Sequence, residues 1–244
     1  MLLKTDNKSI YQNILESRRI KKRLLAVLLD PDKVDLNDVP AILHQIKESP
    51  ATHIFVGGSQ VNSGDADLLL AELQGTSEIP LILFPGHPSQ ISTKADGILF
   101  LSLISGRNPD YLIGHQVEAA PMLKASGMEI IPTGYMLIDG GRETEVQRIS
   151  QTKPMPQNDI ASIVNTAMAG EMLGINLIYL EAGSGALRNV SPEIVAAVRC
   201  ATSLPMIVGG GIRSEETMQQ LYNAGADMIV IGTAFENDLN FFKS

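Results

Sequence analysis

Eight short apolar runs, spaced along nearly the whole chain with helical patterns between them, constrain the fold more than any other feature. They are Leu24–Leu29, His53–Val56, Leu81–Phe84, Gly97–Leu101, Glu129–Thr133, Asn176–Leu180, Pro205–Val208 and Asp227–Ile231. None alternates strictly between polar and apolar residues, so each strand has to be covered on both faces. Between them, Leu36, Val39, Leu43 and Ile46 follow a three-and-four spacing, and Ile160, Ile163, Val164 and Ala167 repeat it. Asn108 before Pro109 and Ser191 before Pro192 mark two helix starts, because proline has no N–H and the first turn leaves such groups unpaired anyway. Strands that alternate with helices in this way predict an α/β fold, a closed (β/α)8 TIM barrel rather than an open doubly wound sheet.

The 244 residues suit one such barrel domain, 1–244, with a short N-terminal helix around Ser9–Ser17 that closes the bottom or crosses the side. One connection is irregular. The stretch PGHPSQISTKAD between the third and fourth strands holds two prolines, so its helix is expected to be missing or irregular. The longest turn-rich insertion, Gly140–Gln157, follows strand five and would lie over the barrel mouth as a lid or as a mobile loop.

Charged residues make up 19% of the chain, aromatics 5%, and the net charge is -8. Nucleic acid is a poor partner for such a balance. The tight basic cluster Arg18, Arg19, Lys21, Lys22 and Arg23 reads as a solvated face or a helix C-terminus. The sole cysteine, Cys200, follows Ile194, Val195 and Val198 and is expected to be buried and inert. No apolar run is long enough to span a bilayer, and the first residues lack the apolar core of a signal peptide, so a cytoplasmic protein is expected. Transient contact with a bilayer stays open.

The chemistry concentrates in the last three strand ends. Strand six runs into Tyr179, Leu180, Glu181, Ala182, Gly183, Ser184 and Gly185; strand seven into Gly209, Gly210, Gly211, Ile212 and Arg213; strand eight into Gly232 and Thr233. A phosphate needs backbone N–H groups within hydrogen-bond reach, and a Cβ would crowd it. Barrel loops seven and eight supply such a cradle. Ser184 and Thr233 can add hydroxyls. Glu181 lies in the middle of this anion site, where a carboxylate is unfavourable unless it handles a proton or pairs with a cation such as Arg213. Tyr179 either orients a substrate oxygen or packs.

At the other side of the mouth, strand one ends in Asp30, Pro31 and Asp32, and strand two in Gly57, Gly58 and Ser59. Asp30 with an oxygen such as Ser59 can help to hold Mg²⁺ in a shell made mostly of water and phosphate. Asp32 is a weaker ligand candidate and can instead form a turn around Pro31. His44, His53, His87 and His115 show no metal-ligand spacing, and no GxSxG elbow or P-loop is present. Strands four and five keep apolar residues beyond their expected ends. Leu101, Leu103, Tyr135 and Met136 there either continue the core or line a groove for a long hydrocarbon.

Taken together, AVLLDPDK, FVGGS, ILLFPG, PTGYMLIDGG, YLEAGSGA, VGGGIRS and VIGTAFE resemble the geranylgeranylglyceryl phosphate synthases and the PcrB-like prenyltransferases, from roughly Leu24 to Glu236. The resemblance implies a modified barrel without a regular third helix. It implies Mg²⁺-dependent transfer of a prenyl group, geranylgeranyl in the main reading, from a prenyl diphosphate to the C3 hydroxyl of sn-glycerol 1-phosphate. By the same resemblance Asp30 and Ser59 hold the metal, Tyr179 through Gly185 form the glycerol-phosphate loop, and Gly209, Gly210, Gly232 and Thr233 complete the phosphate contacts. Glu181 handles the glycerol hydroxyl, and the assembly is a homodimer or homohexamer. Leu28 departs from the short bacterial branch, which carries a lysine there. A sugar-phosphate isomerase or epimerase, or a nonenzymatic phospholipid-binding protein, are the alternative readings.

Overall fold

The computed structural model describes residues 9–58, 65–75, 77–239 and 241–243. Eight parallel strands close into a barrel: β1 Leu24–Leu29, β2 His53–Val56, β3 Leu81–Leu83, β4 Gly97–Leu103, β5 Glu129–Leu137, β6 Leu177–Glu181, β7 Met206–Gly209 and β8 Met228–Ile231. Closure runs through the β1–β8 ladder, from Leu24 opposite Met228 to Val27 opposite Ile231. The α-helices among the described residues are α1 Ile10–Arg19, α2 Val39–Glu48, α3 Asp65–Leu73, α4 His115–Ser126, α5 Glu145–Ser150, α6 Ile160–Met172, α7 Pro192–Ala201, α8 Glu215–Ala224 and α9 Thr233–Asn237.

The two-residue period of a strand divides the apolar residues into two shells. Phe55, Ile82, Leu99, Leu103, Ile131, Tyr135, Tyr179, Ile207 and Val230 fill the barrel interior. Their neighbours, among them Ile54, Val56, Ile98, Met136, Ile178, Leu180 and Val208, face outward and pack on helix residues such as Ile42, Ile46, Leu69, Ile163 and Val195. Both faces are therefore buried, as the unbroken apolar runs require. Of the two helix starts read from the sequence, Ser191 caps α7, while Asn108 and Pro109 lead into a π-helical turn, Asp110–Gly114, ahead of α4, with Asn108 Oδ1 accepting the Asp110 N–H at 3.1 Å. Ser191 accepts from Ile194 N at 3.4 Å ahead of Pro192, and Ser214 accepts from Thr217 N at 3.2 Å.

Helix α1 closes the barrel bottom. The Glu129 carboxylate, at the start of β5, accepts the first two helical N–H groups, Ile10 at 2.5 Å and Tyr11 at 2.8 Å. Ile10 and Ile14 join the interior cluster. Ile14→Ala should cost about 2–4 kcal/mol of stability, read from a denaturant midpoint. Substrate affinity should not change, because the site lies at the opposite barrel end.

Strands β4 and β5 are longer than their sequence runs suggest. Their ladder extends from Gly97 opposite Glu129 to Leu103 opposite Tyr135. Between β3 and β4 the chain makes only a 3-10 turn, Pro88–Gln90, in place of a helix. The Gly140–Gln157 insertion is not a free loop. It carries α5, and its base is fixed by Asp139 N donating to Met155 O and Met155 N donating to Leu137 O, both at 2.9 Å. Gln157 ties the same base to Asp139 O, Asn189 O and Ser191 N. Two further expectations are settled by helix position. Arg18 and Arg19 of the basic cluster occupy the last turn of α1. Cys200 is exposed, not buried. It lies two residues, about 200° of helical rotation, past core-facing Val198, which turns it to solvent.

Candidate active site

The C-terminal strand ends surround a cavity of about 740 Å³. Its wall includes Leu28, Asp30, Gly58, Phe84, Tyr135, Tyr179, Glu181, Ser184, Gly185, Gly210, Gly232 and Thr233. The sequence candidates from opposite ends of the chain thus meet in one space.

Inward alternation along β6 places Tyr179 and Glu181 in the cavity and sends Leu180 and Ala182 to the outer shell. Leu180 and Ala182 therefore offer no side chain to a ligand, and the Ala182 N–H is already taken by Gly209 O at 3.0 Å. The Gly183 N–H donates to Glu181 Oε1 at 2.5 Å. The N–H groups of Ser184, Gly185, Gly210 and Gly211 have no backbone acceptor among the described residues. Across the cup, Ser184 Oγ and Thr233 Oγ1 stand 3.1 Å apart, which joins the loop after β6 to the start of α9. Gly210 has to be glycine: its φ is +82°, and a Cβ there would lie 2.3 Å from Glu181 Oε1 and 2.5 Å from Gly183 N. Gly209 packs similarly against the Tyr179 hydroxyl.

Glu181 is 6% exposed and has no cation partner among the described residues. Burial raises its carboxyl to about 7, against the opposing pull of the Gly183 N–H and the Tyr179 hydroxyl. That hydroxyl lies close enough to favour the carboxylate, yet it falls short of hydrogen-bond geometry and is buried without a partner among the described residues. An orphaned buried O–H beside a carboxylate is a place where a substrate oxygen would be satisfied. Arg213 does not pair with Glu181. It donates to Ala186 O at 2.5 Å and to Leu187 O at 3.3 Å, and so buttresses the loop from behind.

On the opposite rim, the Asp30 carboxylate lies over Gly58, where a Cβ would come within 2.8 Å of Oδ1. Lys33 Nζ sits between two carboxylates, 2.9 Å from Asp30 Oδ2 and 3.4 Å from Glu236 Oε2. Glu236 was not evident from the sequence. It reaches the rim because the first turn of α9 follows β8 directly, and its Oε1 accepts the Asp30 N–H at 3.3 Å. Burial raises the Glu236 pKa, with Asp30 adding to the rise and Lys33 opposing it. Asp32 is exposed, and its N–H caps Asp30 Oδ1 at 3.2 Å in a turn around Pro31. Ser59 lies outside the described residues.

A second, apolar cavity of about 110 Å³ adjoins the first. Gly58, Phe84, Tyr135 and Val146 wall both. It runs between β4, the segment after β3 and α4, lined by Leu99, Leu101, Leu103, Pro88, Ile91 and Ala119 among others. A regular helix after β3 would fill this space, so the missing helix and the groove are one feature. Leu101, Leu103 and Tyr135 line it as the parity of β4 and β5 dictates. Met136 has the opposite parity and is buried in the outer shell instead. Phe84 stacks on Tyr179 with ring centroids 5.1 Å apart, and Tyr135 lies 5.4 Å from Tyr179, so aromatic rings form the boundary between polar cup and groove. The far wall holds His87 and His115, 5.0 Å apart edge to face, with Glu118 nearby, a grouping the sequence spacing did not reveal.

The sequence profile described as the PcrB family matches residues 17–243. The chain is 53% identical to the geranylgeranylglyceryl phosphate synthase of Flavobacterium johnsoniae over 97% of both chains. It is 40% identical to that of Methanopyrus kandleri over 86% of this chain and 87% of the relative. Among solved structures, (S)-3-O-geranylgeranylglyceryl phosphate synthase from Thermoplasma acidophilum, in complex with substrate sn-glycerol-1-phosphate, superposes with a TM-score of 0.91 at 34% identity, covering 97% of this chain and 95% of that one. An N-acetylmannosamine-6-phosphate 2-epimerase from Clostridium perfringens, 13% identical with a TM-score of 0.55 and 86% of each chain covered, shares the fold alone.

Proposed function

The chain belongs to the PcrB family, and we propose that it transfers a geranylgeranyl group from its diphosphate to the C3 hydroxyl of sn-glycerol 1-phosphate, forming an ether and releasing diphosphate. The observation that carries this reading is a polar cup and an apolar groove with common walls and a buried carboxylate on the cup side. A sugar-phosphate epimerase would use the cup and have no use for the groove.

The glycerol phosphate occupies the cup, held by the free N–H groups of Ser184, Gly185 and Gly210 and by the hydroxyls of Ser184 and Thr233. Its C3 hydroxyl then reaches Glu181, which orients it and accepts its proton as the oxygen attacks the allylic carbon. With the carboxyl raised to about 7, the base is strong enough to accept that proton and is still substantially ionised near neutrality. The Phe84, Tyr135 and Tyr179 rings border the place where the breaking carbon–oxygen bond leaves positive charge, and their faces favour a cation. Leu99, Leu101 and Leu103 take the hydrocarbon and exclude water.

The rim also fits Mg²⁺. Asp30 and Glu236 offer hard oxygen donors around a point that a lysine ammonium already bridges, and the open cavity leaves room for water and phosphate oxygens. Asp30, Glu236 and by resemblance Ser59 would hold it, and when bound it would neutralise the departing diphosphate. Our reading takes the reaction to run in the cytoplasm, with transient bilayer contact for lipid substrate and product. None of the described helices is long and apolar enough to cross a membrane. A homodimer or homohexamer remains the expected assembly.

Incubation with sn-glycerol 1-phosphate, Mg²⁺ and prenyl diphosphates of increasing length tests the reading. Mass spectrometry should find the geranylgeranyl ether, with little product from sn-glycerol 3-phosphate. Turnover of a small sugar phosphate without any ether product would contradict it.

A further inference from the structure

Arg142 lines the mouth cavity from the segment between β5 and α5. Its guanidinium lies over Gly185, where an added Cβ would stand 3.3 Å from Nη2. The other cations around the mouth are engaged. Lys33 bridges Asp30 and Glu236, Arg148 pairs with Glu145, Arg188 pairs with Asp139 at 3.2 Å, and Arg213 is bonded to the Ala186 and Leu187 carbonyls. Among the described residues Arg142 has no hydrogen bond or ion pair to a protein group.

Its backbone, by contrast, is fixed on both sides to the loop it overhangs. Two residues before it, the Gly140 carbonyl accepts the Leu187 N–H at 2.9 Å and the Arg188 N–H at 3.0 Å. Two residues after it, Thr144 packs under Gly183, where a Cβ would come within 2.2 Å of Thr144 Cγ2. A fixed stem with an uncommitted head loses little backbone freedom on binding. The cup needs such a charge. It holds Glu181 and faces Asp30 and Glu236 in a chain of net charge -8, so backbone dipoles would have to offset a phosphate dianion alone.

We propose that Arg142 grips the phosphate of the glycerol substrate from the solvent side, two guanidinium N–H groups donating to two phosphate oxygens, and so completes the cup formed by the loops after β6, β7 and β8. The identity of the substrate rests on the function proposed above; the grip on a phosphate does not. A planar five-donor fork suits this geometry in a way an ammonium does not.

Calorimetric titration of wild type, Arg142→Gln, Arg142→Lys and Arg148→Gln with sn-glycerol 1-phosphate, and separately with inorganic phosphate, tests the proposal. Arg142→Gln should raise the Kd for glycerol 1-phosphate about 10- to 100-fold. Arg142→Lys should fall between, keeping the charge and losing the fork. Arg148→Gln, the same charge loss at a cation already paired with Glu145, should stay within about twofold of wild type. In steady state the Arg142→Gln effect should appear in the KM for glycerol phosphate, with kcat and the KM for the prenyl donor little changed. Equal binding by wild type and Arg142→Gln would overturn the inference and leave the proposed function standing. Wild type that binds inorganic phosphate through Arg142 but not glycerol 1-phosphate would support the grip and overturn the proposed substrate. A wild type that binds neither would overturn both.

Discussion

Glu181→Gln should lower kcat by about 10²- to 10⁴-fold, the usual contribution of a positioned general base. The substitution keeps the size of the side chain and the acceptor for the Gly183 N–H while removing the proton acceptor. Substrate binding should survive or tighten, since a buried negative charge leaves the phosphate cup. For wild type, the pH profile of kcat/KM should rise through about pH 7 as the carboxyl ionises and then level, and the variant should lose that limb. The same burial fixes a stability effect of definite sign. The folded carboxyl is raised from 4.5 to about 7, so the folded state binds more protons than the unfolded one between those values. Stability associated with Glu181 is therefore complete below pH 4.5 and is lost as pH rises through about 7, by at most about 3 kcal/mol. At pH 8 Glu181→Gln should be more stable than wild type in denaturant titrations, while being far less active. A variant that is equally active and shows the same pH limb would remove Glu181 from the chemistry.

Asp30→Asn should weaken the apparent Mg²⁺ requirement site and lower turnover by about 100-fold or more, because one of few charged ligands is lost where the leaving diphosphate gathers charge. The carboxamide still accepts the Asp32 N–H, so the turn around Pro31 should persist. Lys33 would keep Glu236 as its partner at the rim. The effect should appear as a higher Mg²⁺ concentration for half-maximal rate and a lower plateau, and wild type treated with EDTA should lose activity that added Mg²⁺ restores. Calorimetric affinity for sn-glycerol 1-phosphate alone should not fall, since the cup lies on the other wall and loses a negative charge that faces it. Unchanged Mg²⁺ dependence in the variant would show that Asp30 does no more than pair with Lys33 and hold the turn around Pro31.

Much of this architecture was legible in the residues because both-face burial leaves unbroken apolar runs. Leu24–Leu29 and His53–Val56 are strands with those same ends in the structure. Strands four and five run past Leu101 and Thr133 because the ladder holds the backbone through Ser102 and Gly134, residues that dilute the apolar pattern. The cup was legible for a different reason: positive-φ glycines and close backbone approach leave a sequence mark. Side-chain direction was less so. Met136, Leu180 and Ala182 sit beside true wall residues, and one step along a strand reverses the face. The two-residue period that turns Glu181 inward turns Leu180 and Ala182 outward. Glu236 and Arg142 carry no spacing signal at all, since they reach the mouth only through the positions of α9 and the segment before α5. The histidine pair on the groove wall is equally invisible, with His87 and His115 28 positions apart on a chain that folds back on itself.

The most direct test of the site is a crystal structure of the protein with sn-glycerol 1-phosphate, Mg²⁺ and an unreactive thio analogue of geranylgeranyl diphosphate. The phosphate should sit against Ser184, Gly185, Gly210 and Thr233 with the C3 hydroxyl within about 3.2 Å of Glu181, the metal at Asp30, and the hydrocarbon along Leu101 and Leu103. A phosphate bound away from those turns, or a C3 hydroxyl directed to solvent with Glu181 unengaged, would contradict it.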